Sequence, residues 1–131
     1  MTTHALPAPA KGLHYGLWTV QLLLAAAFGM AGAMKATAPI AELAQNMPWV
    51  NDVPAAMVRF IGASEFLGAV GLVAPLATGI KPRLTALAAA GLVVVMALAA
   101  AFHASRGEYA GIGINAVLGG LAAFVAWGRL R

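Results

Sequence analysis

The side chain that most needs a chemical reason is Glu65, which sits in the apolar run RFIGASEFLGAVGLVAP from Arg59 to Pro75. A carboxylate near bilayer depth costs about 3 kcal/mol or more unless it is neutralised, paired or facing water inside a bundle, and so marks a candidate site by default. The residues that could meet it are Lys35, Arg59, His103, Arg106 and Asn115. Neighbouring cations, or an imidazole, would hold Glu65 ionised. In a cavity, His103 with Arg59 or Lys35 could present donors to a carbonyl or an anionic headgroup while Glu65 exchanges a proton. In a filled core the same groups would form an ion pair and hydrogen-bond network that fixes helix register and binds nothing. Arg59 and Glu65 are six residues apart and face different sides of a helix, so Glu65 must find its partner on another segment.

Other chemistries fit less well. With no cysteine in the chain, thiolate nucleophiles, disulfide exchange and Cys-ligated metals are excluded within it. His103 and Glu65 are too few ligands for a metal site. His14 and His103 fall at opposite ends of their spans, about 30 Å apart by the hydrocarbon thickness, too far for a bis-histidine haem. The scattered methionines read as packing. Gly62, Gly68 and Gly71 have no strand before them and no Lys-Ser/Thr after, so they form helix contacts and not a phosphate loop. No residue is assigned as catalytic.

The elements that must position these groups follow from composition. The 131 residues are 62% hydrophobic and 9% charged, against roughly 25% charged in soluble domains. The chain is an integral membrane protein. Its length allows four spans of about 20 residues and little else, so any chemistry arises in the bundle or with a partner. The predicted fold is an all-α antiparallel four-helix bundle, with spans over about 15–34, 55–75, 83–103 and 111–128. Residues 1–14 are read as a mobile tail before a first helix that is retained, its apolar run being long for a signal h-region. His4 and His14 are read as tail and interface residues without a partner.

Ala36 to Val53 is the long connection. Ile40, Leu43, Ala44 and Met47 have the spacing of a short amphipathic helix, which Pro48 should end, with Trp49 anchored at headgroup level. Gln21, inside the first span, should face the bundle. The net charge of +4 comes from basic residues scattered at the ends of apolar runs, which reads as topology and not as a nucleic-acid surface. Lys11, Lys81, Arg83, Arg129 and Arg131 fall on one side, against Lys35, Arg59 and Arg106 on the other. The positive-inside rule then puts both termini in the cytoplasm. LAAAF recurs at Leu24–Phe28 and Leu98–Phe102, a faint sign of two similar helix pairs. The antiparallel arrangement brings Lys35, Arg59, Glu65, His103, Arg106 and Asn115 to the same outer half.

Four stretches carry a family resemblance: the Lys35 that closes the first helix, IGxxExxGAxGLxxP at Ile61–Pro75, AAxGLxxxMxxAxxxH at Ala88–His103, and RGE at Arg106–Glu108. Together they resemble the DoxX-like family of small four-helix bacterial membrane proteins, over nearly the whole chain from the first span to Arg129. The resemblance implies a four-helix bundle and matches Lys35, Glu65, His103 and Arg106 to the family's polar positions. It also implies kinship with proteins that resemble a quinone-linked oxidoreductase subunit, with members of oxidative-stress complexes and with receptor-assembly chaperones. The expectation is therefore a bacterial inner-membrane accessory subunit of a redox system, with a quinone-like or lipid headgroup at the polar cluster. The alternative is a non-enzymatic assembly or scaffold protein whose buried charges are structural. A proton or solute pathway ranks last, because only Gln21 extends the polar set inward.

Overall fold

A computed structural model describes residues 10–79 and 83–130, and every regular element among them is helical. Four long helices, α1 (Lys11–Thr37), α3 (Ala55–Ala77), α4 (Arg83–Ser105) and α5 (Tyr109–Leu130), are joined by a short α2 (Ile40–Asn46), a 3-10 turn (Pro48–Asp52) and tight connections. At about 1.5 Å per residue, helices of 27, 23, 23 and 22 residues are each long enough to cross the roughly 30 Å hydrocarbon layer. Each is apolar enough to do so. The first span begins earlier than the sequence suggests: Lys11 to His14 form the opening turn of α1 and are not tail. The rest of the predicted tail up to residue 9, and the basic turn at Lys81 and Pro82, lie outside the described residues.

Local sequence sets the boundaries. Ala38 turns extended after α1, and Pro39 and Pro54 stand at the N-caps of α2 and α3, where a missing N–H costs nothing. The α4 end is a Schellman turn. Gly107 adopts φ +72°, the Glu108 N–H donates to the His103 carbonyl at 2.9 Å and the Gly107 N–H to the Ala104 carbonyl at 3.2 Å. A left-handed residue at this position is what glycine tolerates without strain.

The long helices form a ring in which α1 touches α3 and α5, and α4 touches α3 and α5. Packing is most extensive for α1 with α3 and for α4 with α5, as two similar helix pairs would give. The central core draws on all four, with Phe28, Leu72, Leu92 and Val125 fully buried or nearly so. A second cluster of Leu43, Val50 and Val58 fixes the α2 segment to the start of α3. Large apolar side chains such as Phe60, Leu98 and Val117 point outward, as lipid contact requires. The start of α1 and the end of α5 fall at one end, the terminal end; the α2 segment and the α4–α5 turn cover the other, the loop end.

At one point α1 and α3 come close enough to exclude any side chain. A Cβ on Gly32 would lie 2.5 Å from the Phe66 nitrogen and 2.7 Å from the Gly62 carbonyl, and one on Gly62 would meet the Ala36 nitrogen. Small residues at such crossings let helix backbones touch in a bilayer, where no hydrophobic force drives them together. This crossing sets the height at which Lys35 and Glu65 face each other.

Candidate functional site

Glu65 is buried on α3 and faces α1. Its Oε1 accepts from Lys35 Nζ at 2.7 Å, with the carboxylate side chain 3% exposed and the lysine 14%. Lys35 lies in the last turn of α1, three residues after Gly32, and Glu65 three after Gly62. The glycine contact and the ion pair are thus successive rungs of one interface. In a low-dielectric bundle the pair is mutually necessary, since either charge alone would be desolvated without compensation.

Arg59 supports the same junction without touching Glu65, as the six-residue spacing implies. Its Nη1 donates to the backbone carbonyls of Lys35 at 3.0 Å and Ala38 at 2.5 Å. These are carbonyls at the C-terminal end of α1, left open by the helix and carrying its partial negative charge. Arg59 therefore caps α1 from α3 and steadies the backbone that carries Lys35.

His103 and Arg106 belong to a different network. The Schellman turn swings Glu108 back beneath α4, where its Oε1 lies 3.1 Å from His103 Nδ1 and 2.9 Å from Arg106 Nε. Arg106 Nη1 also reaches Asp52 at 2.7 Å, which ties the α4–α5 turn to the 3-10 turn. Trp49 meets Phe102 edge-on at 5.9 Å, and the Arg106 guanidinium sits 5.5 Å from the same ring. Trp49, expected at headgroup level, thus also anchors this tie. The hydrogen bond with His103, and next the one from Arg106, hold the Glu108 carboxyl below its ordinary range. Bonding to Asp52 and then Glu108 raises Arg106.

Asn115 joins neither network. It is 8% exposed on α5, and its Nδ2 has no hydrogen-bond partner. It lines an open groove of about 190 Å³ between α4 and α5, with Met96, Ala100 and Gly119. A larger, almost wholly apolar groove of about 300 Å³ runs between α3 and α4 past Ser64, Gly68 and Leu92. Neither groove is lined by Lys35, Arg59 or Glu65. Of the predicted cluster, then, three residues converge, two belong with Glu108 and Asp52, and one stands apart.

A second polar group, at the terminal end, was not expected. Gln21 faces the bundle as predicted and donates to the Leu72 carbonyl at 2.6 Å, while its Oε1 accepts from Arg129 Nε at 2.7 Å. Arg129 Nη1 lies 3.0 Å from His14 Nδ1. Arg129, read from sequence as a topology signal, is thus a buried residue, and His14, read as an interface residue without a partner, is its half-buried partner. The signal was present in α5, whose buried positions Ala122, Val125 and Arg129 recur at helical spacing.

The DoxX-like family matches residues 19–125. No curated protein and no solved structure matches the chain.

Proposed function

Since the chain belongs to the DoxX-like family, we propose that this four-span protein is a non-enzymatic membrane scaffold whose buried charges lock its helices together. Its partners are lipid and another membrane protein, not nucleic acid. One observation carries the reading: the 2.7 Å Lys35–Glu65 contact leaves the carboxylate almost without surface. Arg59 is likewise spent on α1 carbonyls, so this junction offers no free charge to a substrate. The basic residues, five against three, support a bacterial inner membrane with both termini in the cytoplasm.

A second reading, an accessory subunit of a quinone-linked redox system, is favoured by Asn115. Its unpartnered amide on the α4–α5 groove is a donor that a quinone carbonyl could accept from. The polar pocket would then lie at Asn115 and not at Glu65.

The test is to titrate purified protein with a short-chain benzoquinone and, in parallel, to photo-cross-link from the exposed positions Phe60 and Leu67 of α3 in native membranes. The scaffold reading expects one reproducible protein adduct, retained in the double variant Lys35→Met/Glu65→Leu, and no saturable quinone binding. Quinone binding that is lost in Asn115→Leu would transfer the protein to the second reading. Binding lost in Glu65→Gln with abundance unchanged would restore a functional carboxylate.

A further inference from the structure

Among the described residues, Arg129 is a guanidinium that the bundle encloses with no acidic side chain paired to it. It is 8% exposed, and its described partners are all neutral: the Gln21 amide oxygen, a His14 ring nitrogen that must accept where Nη1 donates, and the Trp18 ring, 5.8 Å away. The remaining nitrogen, Nη2, is buried with no hydrogen-bond partner. So is the hydroxyl of Thr85 on α4. These two orphans stand at the same height: α4 and α5 are antiparallel across the Ser105–Tyr109 turn, Thr85 lies twenty residues before Ser105 (105 − 85), and Arg129 twenty after Tyr109 (129 − 109).

The charge cannot be balanced by an acidic side chain of this chain. Its four acids are Glu42, Asp52, Glu65 and Glu108. Glu65 pairs with Lys35, Asp52 and Glu108 pair with Arg106, and Glu42 lies on α2, so all four belong to the loop half of the bundle. A guanidinium does not shed its proton at working pH, and a buried charge calls for a paired one. A planar fork with a free N–H, at the same height in the bundle as a free hydroxyl, is donor chemistry that suits a tetrahedral oxyanion. We propose that the terminal end is a binding site for a phosphate group, held by Arg129 Nη2 with the Thr85 hydroxyl as second donor. Gln21, anchored on the Leu72 carbonyl, positions the guanidinium. Trp18 and His14 are only half-buried and form the cover through which the phosphate arrives. The group is supplied by a phospholipid headgroup or by free phosphate.

The experiment uses the full chain in dodecyl maltoside, free of phosphate, titrated with phosphatidylglycerol in one arm and inorganic phosphate in the other. Binding is read by tryptophan fluorescence and by native mass spectrometry. The expected result is saturable one-to-one binding of phosphatidylglycerol, weakened about tenfold or more in Arg129→Gln, as the loss of a charge-assisted hydrogen bond predicts. Thr85→Val should weaken it several-fold, and Arg83→Gln, on the exposed first residue of α4, should leave it unchanged. Saturation by inorganic phosphate with the same variant pattern supports the site and makes the free ion its source. No binding in either arm, binding unaltered in Arg129→Gln, or an equal loss in Arg83→Gln overturns the proposal. Should Arg129→Gln fail to fold, Thr85→Val decides: wild-type affinity in that variant overturns it.

Discussion

At the loop end, Glu65, Lys35, Arg59, Arg106, Glu108 and Asp52 are each met by a charge or a backbone carbonyl, in most cases from a different segment. At the terminal end, Arg129 is as well enclosed, yet its partners are an amide, an imidazole and an aromatic ring. The difference follows from where the acids fall along the chain. With all four acidic side chains on one half, that half can close its electrostatics internally and serve as a rigid joint. The other half keeps donors in surplus, which is the condition for binding something from outside.

The strongest test of this contrast removes one charge from each end. Lys35→Met strands the Glu65 carboxylate and should lower stability by about 3 to 5 kcal/mol, while the double variant with Glu65→Leu should recover most of that loss. Arg129→Gln, measured without phosphate, strands the buried Gln21 amide oxygen but no opposite charge and should cost about 1 to 3 kcal/mol. Unfolding in bicelles under a denaturing detergent gives all three values. Equal losses from Lys35→Met and Arg129→Gln would mean that the two ends do not differ in the way described.

Two smaller losses sharpen the picture of the loop end as a joint. Arg59→Ala removes charged donors from two carbonyls at the end of α1 and should cost about 1.5 to 3 kcal/mol. Gly62→Ala should cost about 1 to 3 kcal/mol, because the new methyl meets the backbone of α1 and not the tip of a flexible side chain. Cross-linking between α1 and α3 reads the second effect directly: the helices should separate at Gly32 while α4 and α5 remain paired. A Gly62→Ala protein with wild-type stability would show that the crossing has slack.

Residue order alone made the four spans legible, because apolar runs bounded by Pro, Gly and single basic residues have few other solutions in a membrane. It also showed that Glu65 needs a partner on another helix and that Arg59 is not that partner. Which cation answers was not legible, since Lys35, His103 and Arg106 all reach the same half, and the choice depends on side-chain direction. The Schellman turn at Gly107 decides it for two of them by bringing Glu108 to His103 and Arg106. Such a turn depends on one left-handed residue, which the apolar pattern of the spans does not mark. Arg129 is hard to place for a similar reason: a basic residue near the end of an apolar run reads as a topology signal, although it also falls on the buried stripe of α5.

The smallest effect separates the deep joint from the exposed tip of the same end. Glu108 is held below the ordinary glutamate value of about 4.3 by His103 first and Arg106 next, so its contribution is complete above that value. It is lost as pH falls through the lower, folded-state pKa, when the carboxyl takes up a proton and weakens its bond to the guanidinium. Wild-type Tm should therefore fall more steeply with acid than that of Glu108→Gln, and added salt should shrink the gap, because these charges are close to water. Lys35–Glu65, enclosed between helices, should keep its contribution in the same salt. If Glu108→Gln follows the wild type at every pH, the tie between Asp52, Arg106 and Glu108 adds nothing to holding the loop end shut. The joint would then rest on the α1–α3 crossing alone.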